Sequence, residues 1–241
     1  MREQAEARQN QLLAALPSHV FNSLQPYLEL TKMPLGKVLY ESGDVMSYVY
    51  FPVDCIVSLL YVMQNGASAE ISVIGKEGFV GISLFMGGES TPSRALVQSA
   101  GQAYRLPSQR FKDAFKHHAE MLHLMLRYTQ ALLTQMAQTA VCNRHHSIDQ
   151  QLCRWLLLSL DRLPSNKLTM TQELIANMLG VRREGVTEAA GKLQQQNVIT
   201  YSRGKITVLD RPKLEELCCE CYSVVKKETD RLLPQIVRAA Q

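Results

Sequence analysis

The sequence has little that would place it in a membrane or outside the cell. Its longest apolar runs, such as Trp155–Leu160, fall far short of the roughly 20 residues that a membrane-spanning helix needs. The stretch MREQAEARQNQLLAALP at the amino terminus lacks the apolar core of a secretory signal and carries acidic side chains. We therefore expect a cytoplasmic protein with no membrane partner.

Motifs of common enzyme classes are also missing. The chain contains no G-x-S-x-G nucleophile elbow, no Walker phosphate loop, no H-E-x-x-H zinc motif and no credible pair of catalytic carboxylates. We predict that the protein is not an enzyme and has no catalytic residues.

Six cysteines are present, but not in a complete metal-binding pattern. The segment CCEC at Cys218–Cys221 looks like half of a metal site, yet the chain has no matching second pair. The segment CNRHH at Cys142–His146 has metal-type residues, but consecutive side chains on a helix diverge by about 100° each. We interpret Cys218–Cys221 as a cluster of structural thiols and predict neither a metal site nor a cofactor. A metal or redox role is the less favoured alternative.

Positive charge is concentrated in the carboxyl-terminal part of the chain. Residues 1–143 contain 11 basic and 11 acidic side chains, whereas residues 144–241 contain 15 and 11, which accounts for the net charge of +4. A polyanionic partner is therefore expected to bind this part.

The two halves of the chain also differ in their secondary-structure pattern. From about residue 32 to residue 106, short β-rich runs alternate with turns, and Asn65-Gly66 between two apolar runs is a strong hairpin signal. This pattern favours a small barrel or sandwich over a parallel sheet. Helices dominate from residue 108 onward, so we predict an α+β fold.

A helical segment from Ser108 to about Asn143 contains a stripe at spacings of three and four residues, the pattern of a seam between helices. Its members are Leu122, Met125, Thr129, Leu132, Met136 and Thr139. We interpret the stripe as the seam of a homodimer, because the opposite face is also partly apolar and could dock on the barrel. The alternative is that the stripe itself packs on the protein's own barrel.

Residues 171–194 fit two helices joined by a tight turn, as in a helix-turn-helix. Thr169 and Gln172 stand at capping-box spacing, and Thr171 is an alternative cap. Gly180 lies at the turn, where glycine adopts a positive φ freely. Gly185 interrupts the second helix at a cost of roughly 1 kcal/mol relative to alanine. We interpret it as permitting close approach to the DNA groove, and the alternative is a surface position that tolerates glycine.

The second helix exposes side chains that can read DNA, and a short β-ribbon after it looks like a wing. Arginine pairs with guanine, and glutamate accepts from cytosine. The first turn of such a helix meets base edges, and basic residues at the tip of the ribbon are well placed for phosphates. The predicted DNA-binding residues are Thr171, Gln172, Arg182, Arg183, Glu184, Gly185, Thr187, Glu188, Lys192, Ser202, Arg203 and Lys205.

In this order, a β-rich domain, a long helix and a winged helix-turn-helix resemble the Crp/Fnr family of bacterial transcription regulators. The resemblance covers nearly the whole chain and is closest in MTQELIANMLGVRREGVTEAAGKLQQQNVI and RGKITVLDRPKLEEL. It implies a β-roll or jelly-roll sensor domain at residues 1–107, a dimerisation helix at 108–146 and a winged helix-turn-helix DNA-binding domain at 147–241.

The segment GKEGFVGISLFMGG is similar to the phosphate-binding cassette of that family, with two departures. Cyclic-nucleotide-binding members have Gly-Glu where this chain has Gly81-Ile82, and isoleucine cannot accept hydrogen bonds from a ribose diol. They have Arg-Ser/Thr-Ala where this chain has Ser93-Arg94-Ala95. The effector pocket implied by the resemblance consists of Gly78, Gly81, Ile82, Ser93 and Arg94. We predict that its effector is not cyclic AMP.

The resemblance also implies the partners: double-stranded DNA, a second copy of the chain, RNA polymerase and a small-molecule effector that the sequence does not identify. The predicted function is a sequence-specific DNA-binding transcription regulator acting as a homodimer. The alternative is a ligand- or redox-sensing module that acts through protein partners, and the arginines of the second helix argue against it.

Overall fold

A computed structural model of the protein describes residues 6–233. The amino-terminal domain includes the short helices α1 (Gln11–Ala15) and α2 (Ser18–Leu24). Its strands are β1 (Glu29–Met33), β2 (Val38–Tyr40), β3 (Tyr48–Pro52), β4 (Ile56–Val62), β5 (Ser68–Ile74), β6 (Arg94–Ser99) and β7 (Gly101–Pro107).

These strands form two antiparallel sheets, with the orders β1-β7-β3 and β2-β6-β4-β5. The hairpin predicted at Asn65-Gly66 connects β4 to β5. Gly66 has a φ of 84°, and the Asn65 side chain accepts a hydrogen bond from the N–H of Ala67. Aromatic rings fill the core, where the Phe79 ring centroid lies 5.3 Å from that of Phe111 and 5.2 Å from that of Tyr128. The predicted β-roll and the α+β fold class are confirmed.

The carboxyl-terminal part is mainly helical. Its helices are α3 (Ser108–His117), α4 (Ala119–His145), α5 (Ile148–Leu160), α6 (Gln172–Leu179), α7 (Arg183–Gln195), α8 (Arg211–Leu217) and α9 (Glu220–Leu232). A small antiparallel sheet in the order β8-β10-β9 consists of β8 (Lys167–Thr169), β9 (Ile199–Ser202) and β10 (Lys205–Val208). Among residues 6–233, no helix combines the length and the apolar character needed to cross a bilayer.

The helical segment predicted to run on from Ser108 is two helices. His118 separates α3 from α4 with an extended backbone, at φ −127° and ψ 103°. The break lets α3 turn Phe111 and Ala114 into the β-roll core, where both are buried. No glycine or proline marks this position, so the sequence carries no local signal for the break.

The stripe predicted as a dimer seam is buried within the protein itself, so that prediction is wrong. Of its six members, Leu122 and Met136 are half-buried, and the other four, including Leu132, are at most 7% exposed. Beside the stripe, the Gln135 amide accepts from the N–H of Val73 over 2.8 Å and donates to its carbonyl over 3.2 Å. These bonds fix α4 against β5, and α9 packs along α4 as well.

The two parts of the chain share an interface built around α5. Ile56, Leu60 and Val73, on β4 and β5, belong to the same apolar cluster as Trp155 and Leu156 of α5. An ion pair reinforces this contact. Nε of Arg162 donates to the Glu77 carboxylate over 2.7 Å, and both side chains are largely buried.

Candidate nucleic-acid interface

The first helix of the predicted motif has the local chemistry that the sequence indicated. Thr171 is the N-cap of α6, and its hydroxyl accepts a hydrogen bond from the N–H of Leu174 over 3.2 Å. Thr169, the other candidate cap, lies in β8 instead. α6 ends at Gly180, whose φ of 67° and ψ of 32° are left-handed. The helix-turn-helix is therefore confirmed.

Packing decides which side chains of the second helix remain outside. On one face of α7, Val186, Ala189, Ala190 and Leu193 are at most 3% exposed and pack towards α5 and α6. The predicted reading residues on the opposite side are all exposed: Arg182, Arg183, Glu184, Thr187 and Glu188.

Gly185 faces α5 rather than the outside. A Cβ at this position would lie 2.7 Å from Cδ1 of Ile148, at the start of α5. The missing side chain therefore lets α7 pack closely on α5, and the interpretation that Gly185 permits close approach to DNA is wrong. A different glycine of α7, Gly191, has open space where a Cβ would be.

Lys192 lies on the same side of α7 as Gly185. Its Nζ is 3.0 Å from a carboxylate oxygen of Asp149 and 3.0 Å from one of Glu188. Because its charge is already paired within the protein, Lys192 is a weaker candidate for a DNA contact than the sequence indicated.

Thr187 connects the two helices of the motif. Its hydroxyl lies 2.8 Å from Oε1 of Gln172 and 3.0 Å from the carbonyl of Arg183. Both predicted residues thus help to set the angle between α6 and α7. The sequence alone did not show this, because they are far apart along the chain.

The wing is a tight hairpin whose tip is basic. Arg203 and Gly204 connect β9 to β10, with φ values of 50° and 75°. A positive φ is uncommon for arginine and has a conformational cost, which a functional position can explain. Ser202 and Lys205 flank the tip and are exposed, as is Arg203.

The wing and the two helices form a concave surface, and the pocket that it lines has a volume of about 310 Å³. Its lining residues are Thr171, Gln172, Glu173, Arg183, Tyr201, Arg203 and Gly204. Thr171 and Gln172 at the amino terminus of α6 line it, so the positive end of the helix dipole adds to the charges of the two arginines, while the Glu173 carboxylate opposes them. This arrangement suits a phosphate group of a nucleic-acid backbone.

Two of the lining residues, Glu173 and Tyr201, were missed by the sequence analysis. The Tyr201 hydroxyl donates to the carbonyl of Met170 over 2.8 Å, which holds β9 against the start of α6. Burial raises the pKa of Tyr201 to about 12, so the phenol remains protonated at neutral pH. Only its position in the ribbon, next to Ser202 and Arg203, could have indicated this role.

The glycines of the predicted effector pocket have packing roles. The carbonyl of Gly78 accepts from the Asn10 side-chain amide over 2.8 Å, and a Cβ on Gly78 would collide with the Tyr128 ring. Gly81 has a φ of 120° and precedes a 3-10 turn at Ile82–Leu84.

Ser93 and Arg94, the polar residues of the predicted pocket, both contact other residues of the protein. Arg94 forms an ion pair with Glu41 over 2.9 Å, and the hydroxyl of the buried Ser93 lies 3.1 Å from that of Thr91. The guanidinium at the position that the resemblance assigns to the cyclic phosphate therefore contacts a carboxylate of the protein itself.

The cysteine segments do have a second half-site. Cys142 and His146, at the end of α4, lie next to Cys219 and Cys221, at the start of α9. The prediction that CCEC has no matching second pair is therefore wrong, because Cys142 and His146 lie elsewhere in the sequence and the packing of α9 along α4 brings them to it.

Comparisons with known proteins match both parts of the chain. Residues 30–118 match the model of the cyclic nucleotide-binding domain, and residues 150–217 match that of the Crp-like helix-turn-helix domain. The chain is 23% identical over 210 residues to the global nitrogen regulator of Synechocystis sp., covering 83% of this chain and 92% of that protein.

Solved structures show the same fold. FixK2 from Bradyrhizobium japonicum superimposes with a TM-score of 0.67 at 16% identity, over 80% of this chain and 98% of that one. A transcriptional regulator of the CRP family from Thermus thermophilus superimposes with a TM-score of 0.65 at 16% identity, over 78% of this chain and 95% of that one.

Fold, interface and comparisons define a DNA-binding transcription regulator in which a β-roll of the cyclic-nucleotide-binding type precedes a winged helix-turn-helix. The chain belongs to the Crp/Fnr family, whose members are regulators and not enzymes.

Proposed function

We propose that this regulator acts in the cytoplasm as a homodimer that recognises a specific DNA sequence, with an effector other than cyclic AMP. The concave surface beside α7 is the observation that carries the proposal. There Arg183 from the recognition helix and Arg203 from the wing converge beside the amino terminus of α6. Arg183 can meet base edges, while Arg203 and the amino terminus of α6 hold phosphates.

An exposed face of α4 supports the homodimer. Leu126, Leu133 and Val141 are 50%, 56% and 47% exposed, and Ala137 and Ala140 lie exposed between them. From Leu126 to Ala140 these positions are seven, four and three residues apart, which matches the heptad spacing of a helix-pairing seam. Pairing two copies through this face would place two recognition helices on one DNA, at half-sites about 34 Å apart.

The ion pair of Arg94 and the apolar side chain of Ile82 support an effector other than cyclic AMP. Arg94 is paired with Glu41, and isoleucine offers no acceptor for a ribose diol. Saturating cyclic AMP should leave the melting temperature unchanged, whereas a cyclic-AMP-binding family member in the same assay should be stabilised. A stabilisation of more than about 1 kcal/mol would contradict this part of the proposal.

Membership of the family supports RNA polymerase as a partner, which is part of this proposal. It also supports a division into a β-roll domain at residues 1–107, a dimerisation helix at 108–146 and a DNA-binding domain at 147–241.

We further propose that an effector selects between two arrangements of the domains joined at α4. One of these arrangements spaces the two recognition helices for DNA.

Selection of bound sites from random double-stranded DNA tests the proposed function directly. We expect enrichment of a two-fold symmetric sequence, with an affinity that falls steeply as salt increases. If the full-length protein enriches no sequence and binds DNA no better than a non-specific control, the alternative of a sensor acting through protein partners is favoured instead.

A further inference from the structure

Four potential metal ligands from two distant segments meet at the end of α4. Their ligand atoms, three sulfurs and one imidazole nitrogen, all lie within 4.8 Å of one another. Sγ of Cys142 is 3.6 Å from Sγ of Cys219, and Sγ of Cys221 is 3.5 Å from Nδ1 of His146. The three cysteines are at most 5% exposed, and His146 is half-buried.

The separations of 3.6 Å and 3.5 Å fit the edges of a tetrahedral metal site. With Zn–S bonds of about 2.3 Å, two thiolates on a tetrahedron lie about 3.8 Å apart, and a thiolate and an imidazole nitrogen are slightly closer. The distance of 3.6 Å between Cys142 and Cys219 is also much longer than the roughly 2.0 Å of a disulfide. The side chains are thus arranged around a common point.

The local geometry explains how the two segments supply the ligands. Cys142 and His146 are four residues apart, so they share one face at the end of α4. Cys219 is the N-cap of α9 and Cys221 lies in its first turn. α9 then packs along α4, which holds the two pairs together.

The surroundings of His146 match those of a metal-bound imidazole. Its Nδ1 faces the cysteines, and its Nε2 lies 3.4 Å from a carboxylate oxygen of Glu220. A carboxylate on the outer nitrogen fixes the ring orientation and strengthens the inner nitrogen as a ligand.

We propose that Cys142, His146, Cys219 and Cys221 bind one Zn²⁺ ion in a Cys3His site. All four ligand positions are filled by protein, so the ion is structural and has no open position for substrate. The site joins α9 to the junction of α4 and α5. It thereby helps to set the orientation of the helix-turn-helix relative to α4.

Metal analysis of the full-length protein, purified under reducing conditions, tests this assignment. We expect one zinc ion per chain and its loss in Cys219→Ser and Cys221→Ser. Cys218→Ser is the matched control, because Cys218 is adjacent in sequence but lies outside the four-ligand group. Retention of zinc by Cys219→Ser, or loss from Cys218→Ser alone, would overturn the assignment.

Since a cysteine variant can fail to fold, the wild-type protein provides a second test. A strong chelator should lower its melting temperature, and added Zn²⁺ should restore it. Replacing zinc by Co²⁺ should produce the visible absorption of a tetrahedral thiolate complex. Reduced protein that takes up no Zn²⁺, or one that carries a Cys142–Cys219 disulfide and binds no metal after reduction, contradicts the proposal.

Discussion

Arg183 and Arg203 line the same concave surface from different elements, so we expect their removal to have different effects. Arg183→Ala should reduce affinity for the preferred site by about 1–3 kcal/mol and relax preference at one base pair per half-site. Arg203→Ala should weaken binding to all sequences equally. It should also lower the slope of log K against log salt by about one for each phosphate that the variant no longer neutralises.

Quantitative binding assays on site variants at several salt concentrations separate the two effects. Lys213→Ala is a suitable control, because Lys213 is a basic residue of α8 that does not line the concave surface. Unchanged base preference in Arg183→Ala would mean that another face of α7 reads the DNA.

The two glycines of α7 form a matched pair for a stability test. Gly191→Ala should raise the free energy of unfolding by roughly 1 kcal/mol, because a Cβ there meets nothing and alanine favours the helix. Gly185→Ala should gain less, since Cδ1 of Ile148 lies 2.7 Å from the new carbon and must move. Denaturant unfolding measures both, and an equal gain would show that Ile148 yields freely.

Residues governed by local geometry could be predicted from the sequence, and those governed by tertiary contacts could not. Gly180 was placed correctly because a turn between two amphipathic runs needs a positive φ. The direction of Gly185 depends on where α5 crosses α7, which no pattern within α7 encodes. Arg94 likewise meets Glu41 only after the β-roll has folded.

At the scale of elements, the spacing of apolar residues in α4 predicted a buried stripe, but it did not predict which element covers that stripe. A spacing of three and four residues shows that one helix face is covered, whether by another chain or by the same chain. Here β5 and α9 cover it, and the exposed apolar residues lie on the other face. Most helices and strands followed from local patterns, whereas the break between α3 and α4 and the contacts of α4 with β5 and α9 needed the assembled fold.

Leu132 and Leu133 are adjacent on α4, but Leu132 is buried at 2% exposure and Leu133 is exposed at 56%. Leu133→Asp should convert the proposed dimer into a folded monomer with little change in protomer stability. Leu132→Asp buries a charge in the β-roll core and should cost several kcal/mol of stability. Light scattering with thermal unfolding distinguishes them, and a dimeric Leu133→Asp would show that the exposed face is not the interface.

At the scale of the whole molecule, the four-stranded sheet of the β-roll meets α5 through polar as well as apolar groups. The Ser58 hydroxyl donates to the Gln98 side chain over 2.8 Å, and the Gln98 amide reaches the Ser159 hydroxyl over 3.3 Å. Glu70 on β5 is buried in the same interface. The sequence predicted a β-roll, a long helix and a winged helix-turn-helix in this order, but these contacts join residues far apart and became visible only in the fold.

Glu70 should make stability depend on pH. Burial raises its pKa from 4.5 to about 7, although hydrogen bonding with Ser58 and the charges of Arg154 and Arg162 oppose the increase. Between pH 4.5 and 7 the folded protein therefore binds more protons than the unfolded chain. The neutral Glu70 carboxyl stabilises the fold fully below pH 4.5, and this stabilisation is lost as pH rises through the folded-state pKa of about 7.

We therefore expect Glu70→Gln, which cannot ionise, to become more stable relative to the wild type as pH rises from 5 to 8. At about 1.4 kcal/mol per pKa unit, the relative gain is on the order of 3 kcal/mol. Unfolding curves of both proteins across this range measure it, and other titrating groups cancel in the difference. Glu29→Gln, which removes an exposed carboxylate, controls for the change in net charge. A difference between wild type and Glu70→Gln that stays constant with pH would mean that Glu70 is already ionised at pH 5, held by Arg154 and Arg162 across the interface.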